Sequence, residues 1–229
     1  MAHSVNYQRQ EQVGVIRIDD GKANALSPEL IEFINAAIDQ AEADDVDAIA
    51  LIGREGKFCA GFDLSVMGAG RDQAFALLNA GGLLALRLFE MPKSVVIGAT
   101  GHAMAMGALL LLSADERIGA DGPYKIGLNE VQIGMALPAM GVQLAKERLQ
   151  NKYLTRAVIN SELFTPQEAV DVGYLDRIVE PEKVATVAIA MATHLAENLD
   201  AVSRAETKVR MRADRAAAIR RVLSEGKGI

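Results

Sequence analysis

Short apolar runs alternate along this chain with segments whose apolar residues recur at helical spacing, and this alternation restricts the fold most strongly. Residues 48–52 and 94–99 are runs typical of parallel strands that are buried on both faces. Residues 30–41 and 72–90 have helical periodicity. Strands and helices that alternate with short joins predict stacked βαβ units, and therefore an α/β domain.

The boundaries of several elements are marked by their own residues. Residues 13–18 mix β-branched apolar residues with polar ones and predict a strand. Ser27 and Pro28 suit the N-cap and the first position of the helix that follows. The stretch 53–61, which contains glycine and lysine, is interpreted as a loop between a strand and a helix.

The later third of the chain is predominantly helical by pattern. Thr165 and Glu168 form a capping box with Pro166 at the first helical position, and Gly173 is placed to end that helix. The arginines of the last helix, including Arg212, are interpreted as a solvated face or a subunit contact. Further helices are predicted over 138–149, 181–198 and 202–224, with a strand over 175–179.

Composition argues against several classes of protein. Half of the residues are apolar and 24% are charged, so the chain can bury a substantial core. The net charge of −6 argues against a nucleic-acid or anionic-membrane partner. The single Cys59 excludes an internal disulfide and suits a reducing compartment. The N-terminus is polar and no apolar stretch approaches the ~20 residues that span a bilayer, so we expect a cytoplasmic protein without a membrane partner.

Four segments resemble, in order, the signatures of the crotonase family, which comprises the enoyl-CoA hydratases and isomerases. Each segment is short and weakly specific alone, but four in the expected order at plausible intervals are a strong combination that covers most of the chain. The segments span residues 22–26 (KANAL), 56–64 (GKFCAGFDL), 101–138 and 169–176.

The resemblance implies an α/β fold of the crotonase type, a spiral of ββα units followed by a helical C-terminal region. It places the spiral core in residues 1–175 and the helical region in residues 176–229, both within one structural unit. In the family this helical region makes trimer contacts. A homotrimer or a dimer of trimers is therefore expected.

The resemblance also assigns catalytic roles, and the chemistry is coherent with them. Removing the weakly acidic α-proton of a thioester requires stabilisation of the charge that develops on the thioester oxygen. By resemblance, the backbone amides of Phe62 and Met106 provide it as an oxyanion hole. Glu130 is the implied base, and its apolar neighbours would raise its pKa above the usual value of about 4.3. Met106 stands where hydratases commonly have glycine.

Leu109 stands at a position where the family's hydratases have a glutamate. Adding water across a double bond calls for an acid–base pair that holds and polarises the water. A single carboxylate can instead take a proton from C2 and return it to C4. We therefore predict an enzyme like the Δ3,Δ2-enoyl-CoA isomerases. Two alternatives stay open: a hydratase that recruits another acid, and a CoA-ester-binding protein with little turnover.

The matched segments also supply the residues expected to contact the acyl-CoA. Lys22 and Lys57 are the better placed of the nearby bases to meet the phosphates of CoA. CoA is expected as part of the substrate rather than as a separate cofactor, and no metal-ligand spacing appears. The expected substrate contacts are Lys22, Ala23, Ala25, Lys57, Ala60, Phe62 and Leu109.

Other residues are expected to have structural roles. Asp63 is interpreted as the cap of the next helix, and Asp115 as a hydrogen-bonding residue of the framework. Five methionines could either line an adaptable acyl pocket or belong to the core. They are Met67, Met104, Met106, Met135 and Met140.

Overall fold

The structure, a computed structural model, describes residues 4–226 of the chain. Within that range, no helix combines the length and the apolar character needed to cross a membrane. The strands are β1 (Val5–Gln10), β2 (Val13–Ile18), β3 (Ala48–Ile52), β4 (Gly56–Cys59), β5 (Ser94–Ala99), β6 (Gly101–Met104), β7 (Glu116–Ala120), β8 (Ile126–Gly127) and β9 (Arg177–Val179). The α-helices are α1 (Pro28–Ala43), α2 (Leu64–Met67), α3 (Arg71–Glu90), α4 (Met106–Ser113), α5 (Ala139–Arg148), α6 (Pro166–Val172), α7 (Val184–Asn198) and α8 (Ala201–Ser224).

The strands form two sheets, and the chain adds to both of them as it advances. The larger sheet has the order β1-β2-β3-β5-β7-β9, and the smaller has the order β4-β6-β8. Only the β1–β2 pair is antiparallel among these ladders. Consecutive strands alternate between the sheets: the first strand of each of the pairs β3–β4, β5–β6 and β7–β8 joins the larger sheet, and the second joins the smaller. The expected spiral of ββα units is therefore confirmed.

The central strands of the larger sheet are buried on both faces, as their unbroken apolar runs predict. Ala48 of β3 lies opposite Ser94 of β5, and both strands are fully buried. One face belongs to the main core with α1, α3 and α4. The other face is covered by α7, whose Ala188 and Ala192 belong to a second apolar cluster.

The interpretation of residues 53–61 as a loop is wrong in its centre, where β4 pairs in parallel with β6. The two backbones approach so closely that a Cβ on Gly101 would lie 2.0 Å from the Gly56 carbonyl oxygen. A four-residue strand whose partner lies far along the chain has no local periodicity to reveal it. The small sheet that it begins holds several segments of the site.

The arginine-rich helix α8 packs against α3 and α5 rather than lying wholly in solvent. Arg212 is buried and pairs with Asp115 at 3.0 Å, so its assignment to a solvated face or subunit contact is wrong. Lys208 pairs with the same carboxylate at 2.7 Å. Asp115 also accepts a hydrogen bond from the Val95 backbone N–H at 2.8 Å. Its predicted framework role is confirmed, because it ties α8 to β5.

Candidate active site

A cavity of about 770 Å³ lies where β2, β4, β6 and β8 reach their carboxyl ends. Most of the residues that the sequence predicts for the site meet here, although they come from three of the four matched segments. Lys57 does not line this cavity and lies exposed on β4. The predicted residues that do line it are Lys22, Ala23, Ala25, Ala60, Phe62, Met106, Leu109 and Glu130.

The first two matched segments are joined by backbone hydrogen bonds. The Ala60 N–H donates to the Ala23 carbonyl at 3.1 Å, and the Leu26 N–H donates to the Gly61 carbonyl at 2.8 Å. The Asp63 N–H then donates to the Leu26 carbonyl at 2.9 Å. Two loops that are far apart in sequence therefore form one continuous wall of the cavity.

The buried Asn24 anchors this wall, a role that the sequence analysis missed. Its side-chain Nδ2 donates to the Ile18 carbonyl at 2.9 Å and to the Phe58 carbonyl at 3.1 Å. Its Oδ1 accepts from the Asp20 N–H at 2.9 Å. The backbone of Asn24 has a φ of +51°, in the left-handed region that asparagine tolerates better than most residues. The sequence did contain a signal for this role. In the KANAL segment, Asn24 is the one residue whose side chain both donates and accepts hydrogen bonds and whose backbone tolerates the left-handed region.

The Phe62 amide is directed by a single parallel bridge between Phe62 and Leu26. The bonds of that bridge use the Gly61 carbonyl and the Asp63 N–H. Alternate backbone groups of an extended chain point to opposite sides, so the Phe62 N–H points away from Leu26. Asp63 itself accepts from the Ser65 N–H at 2.8 Å and caps α2, as predicted.

Met106 is the first residue of α4, and its N–H therefore has no carbonyl of a preceding helical turn to bond. Ala105, directly before it, has a φ of +50° and a ψ of −120°, a conformation that costs an alanine roughly 1–3 kcal/mol. A Cβ placed on Gly61, whose φ is +102°, would lie 3.0 Å from the Ala105 Cβ and 3.8 Å from the Met106 nitrogen. The strained turn therefore brings the start of α4 against the 61–62 peptide.

Glu130 is buried, with 6% of its surface exposed, and its backbone is held from both sides. Its carbonyl accepts from the N–H groups of Ile133 and Met135 at 3.1 and 2.9 Å. The next N–H, of Val131, donates to the Ser161 hydroxyl at 3.1 Å. The carboxylate Oε2 is buried without a hydrogen-bond partner among the described residues. Desolvation by burial raises the pKa of Glu130 from 4.5 to about 7, which suits a group that takes and returns protons near neutral pH.

Three other carboxylates line the cavity, and their surroundings differ from that of Glu130. Asp20 accepts the N–H groups of its own turn, and Asp63 caps α2. Glu29 is exposed in the first turn of α1. Of the carboxylates on the described cavity wall, Glu130 is the one that is buried and has an oxygen, Oε2, without a hydrogen-bond partner.

Leu109 lies one turn after Met106 on α4 and is 2% exposed. It closes the apolar side of the cavity, where a Cβ added to Gly141 would lie 3.2 Å from its Cδ1. The methionines were predicted either to line an acyl pocket or to belong to the core. Met106 and Met140 do both, because they line the cavity and also belong to the main core. All five methionines are among the lining residues: Met67, Met104, Met106, Met135 and Met140.

The comparison with known families is decisive for classification. A family model described as enoyl-CoA hydratase/isomerase matches residues 8–225. The chain belongs to the enoyl-CoA hydratase/isomerase family. Its spiral of ββα units and its four matched segments are those that the resemblance predicts.

Relatives within this family carry both activity names. The human mitochondrial enoyl-CoA delta isomerase 1 is 33% identical over 183 residues, which cover 78% of this chain and 60% of that relative. A Mycobacterium tuberculosis protein is described as an enoyl-CoA isomerase in its apo structure and as a probable enoyl-CoA hydratase in another structure. In the apo structure it is 39% identical with a TM-score of 0.94 over 99% of this chain and 98% of that one. An enoyl-CoA hydratase of Mycobacterium ulcerans is also 39% identical with a TM-score of 0.94, covering 98% of both chains.

Two further residues were not assigned a role from sequence: Asn129, which lies at the site, and Tyr174, which is influenced by the charge of Glu130. Asn129 lines the cavity beside Glu130, and its Oδ1 is buried without a hydrogen-bond partner among the described residues. Tyr174 is fully buried, and burial together with the charge of Glu130 raises the pKa of its hydroxyl. Both residues lie inside matched segments. Their position in those segments, rather than their residue type, was the sequence feature that could have indicated a role.

Proposed function

We propose that this chain isomerises 3-enoyl-CoA thioesters to 2-enoyl-CoA by a 1,3-proton shift. The observation that carries the proposal is the pairing of one buried carboxylate, Glu130, with a leucine at position 109 of the same cavity. An acyl group in this cavity would meet one base, and it would meet an apolar side chain at the position where the family's hydratases have a second carboxylate. The similarity to the human mitochondrial enoyl-CoA delta isomerase 1 supports the same function.

The proton transfer needs no group besides Glu130. Its ionised carboxylate takes a proton from C2, and the electron pair of that C–H bond delocalises toward the thioester oxygen. The protonated Glu130 then gives the proton to C4, and the double bond comes to rest between C2 and C3, in conjugation with the thioester. A pKa of about 7 lets the same group act as base and then as acid.

The charge on the thioester oxygen is the second requirement, and we assign its stabilisation to the amides of Phe62 and Met106. The Phe62 N–H points away from Leu26, and the Met106 N–H, at the first position of α4, has no partner within the helix. Two such donors are each worth roughly 3 kcal/mol in an oxyanion hole. The N-terminal end of α4 adds a positive field of the right sign.

The CoA end of the substrate is assigned to the wall formed by the first two matched segments. Lys22 is exposed at the mouth of the cavity and offers its charge to a CoA phosphate. The guanidinium of Arg54 holds this loop, because it donates a hydrogen bond to the Lys22 carbonyl at 2.5 Å and forms an ion pair with the Asp19 carboxylate at 3.0 Å. Lys57, which does not line the cavity, is the weaker candidate for this contact.

Hydration is the second candidate function, because relatives of equal similarity are named hydratases. It would require a polar anchor for the attacking water besides Glu130. Leu109 offers none, so the proposal favours isomerisation. A CoA-ester-binding protein with little turnover is the remaining alternative.

The test is to incubate the protein with a trans-3-enoyl-CoA and to follow the formation of conjugated 2-enoyl-CoA by absorbance, with a Glu130→Gln variant in parallel. The proposal expects conversion by the wild type and a loss of at least 1,000-fold in the variant. Glu32→Gln, which changes an exposed carboxylate on α1, is the matched control and should retain full activity. Binding of the thioester without conversion would support the binding protein, and would contradict the proposal.

A further inference from the structure

Side chains from two different parts of the protein pack against two consecutive glycines in the middle of α3. Glycine costs a helix interior about 1 kcal/mol relative to alanine, so two in succession call for a local reason. A Cβ on Gly81 would lie 2.5 Å from both Cε1 and Cζ of the Phe62 ring. A Cβ on Gly82 would lie 2.5 Å from Cδ2 of Leu223, near the end of α8.

Gly81 is adjacent to the side chains of both residues whose amides we assign to the oxyanion hole. Besides its contact with the Phe62 ring, its Cβ position lies 3.6 Å from the Met106 sulfur. Gly81 itself is buried in the packed centre of α3. The missing side chain at position 81 therefore leaves the space in which the Phe62 ring lies.

We propose that Gly81 is a positioning residue for the oxyanion hole. Gly61 and Asp63, on either side of Phe62, form backbone hydrogen bonds with Leu26. The orientation of the Phe62 peptide therefore depends on the position of the Phe62 ring. A methyl group at position 81 would push the ring outward and rotate the Phe62 N–H away from the thioester oxygen. The inference rests on the proposed function only in taking the thioester oxygen as the group that this amide meets.

The experiment uses a probe that cannot react, so that it reads the hydrogen bonds rather than turnover. Hexanoyl-CoA labelled with ¹³C at its thioester carbon is bound to the protein, and the shift of its C=O stretch to lower wavenumber is measured by infrared difference spectroscopy. We expect Gly81→Ala to lose at least half of the wild-type shift. In parallel, its kcat for 3-enoyl-CoA isomerisation should fall about 100-fold, the scale of a 1 Å misplacement, with KM changed less than threefold.

Gly82→Ala is the matched control, because it adds the same methyl group to the same helix at an equally close contact. We expect it to keep the wild-type spectral shift and kcat, since the group that must move is the Leu223 side chain. Phe62→Leu removes the ring atoms that Gly81→Ala would strike, so the double variant should have the same spectral shift as Phe62→Leu alone. This rescue separates a displaced ring from a damaged fold.

The outcomes distinguish this inference from the proposed function. A wild-type spectral shift that Gly81→Ala leaves intact would overturn the role of Gly81 and leave the isomerase proposal standing. The wild type could show a spectral shift that Gly81→Ala diminishes and yet fail to isomerise 3-enoyl-CoA. This result would support the role of Gly81 and overturn the isomerase proposal. A bound thioester without any shift in the wild type would overturn the assignment of the oxyanion hole itself, and the role of Gly81 with it.

Discussion

The buried carboxylate of Glu130 should make the protein less stable above neutral pH than it would be without that charge. Burial raises the pKa of Glu130 from 4.5, its value in an unfolded chain, to about 7 in the folded protein. A pKa difference of one corresponds to ~1.36 kcal/mol, so the charged form costs about 3 kcal/mol once the pH is well above 7. Glu130→Gln removes the charge while nearly keeping the size of the side chain.

The sign follows from proton binding. Between about pH 4.5 and 7, the folded protein holds the Glu130 proton while the unfolded chain has lost it. The contribution of Glu130 to the free energy of unfolding therefore falls as the pH rises through this window, and this contribution is level on either side. The protonated carboxyl resembles the amide, so wild type and Glu130→Gln should be similarly stable at pH 4.5 and diverge above it.

Urea unfolding followed by circular dichroism at pH 4.5, 6 and 8, at one protein concentration, measures the difference. We expect Glu130→Gln to be more stable than the wild type by about 3 kcal/mol at pH 8, which corresponds to about 6–12 °C in Tm for a chain of this size. Glu32→Gln, at an exposed position of α1, should show no such divergence. A Glu130→Gln variant that is equally or less stable than the wild type at pH 8 would refute the claim that this carboxylate is desolvated.

Three further predictions concern the same framework. The kcat/KM for isomerisation should rise about tenfold per pH unit below pH 7 and level off above it, because the base must be ionised; a pH-independent profile would exclude Glu130 as the base. Asp115→Asn leaves two buried cations without their carboxylate and should lower the free energy of unfolding by about 3 kcal/mol in urea, whereas Asp171→Asn at an exposed position should not. Asn24→Ala removes the side-chain hydrogen bonds that anchor the cavity wall. We expect the free energy of unfolding to fall by about 2 kcal/mol and the KM for acyl-CoA to rise. An unchanged KM would mean that the wall does not need this anchor.

The elements that could be predicted from sequence are those whose signal is local. The buried run of β3 has no polar residue, and that of β5 has only Ser94, at its first position. Thr165 and Glu168 form the capping box that their spacing predicts. The strand β4 was missed because its hydrogen-bond partners lie more than 40 residues away, in β6. Its four residues alternate too briefly to be separated from a loop.

The site shows the same division between local and distant information. The residues Glu130 and Leu109 stand in recognisable signatures, so their presence at one cavity could be predicted. The role of Gly81 could not, because it depends on which side chain arrives from a segment 19 positions earlier in the chain. Arg212 was misassigned for a related reason: an arginine in a charged helix is usually solvated, and only the fold brings Asp115 to it.

One buried carboxylate, with a leucine at the position of a second one, should move protons and should not add water. The most direct measurement compares, on one preparation, the kcat/KM for isomerisation of a trans-3-enoyl-CoA with that for hydration of the matching trans-2-enoyl-CoA, with products identified by mass spectrometry. We predict that the kcat/KM for isomerisation exceeds that for hydration by at least 100-fold. We also predict that Leu109→Glu narrows this ratio while Leu109→Gln does not. A wild-type protein that hydrates the 2-enoyl-CoA as fast as it isomerises the 3-enoyl-CoA would contradict the proposed function.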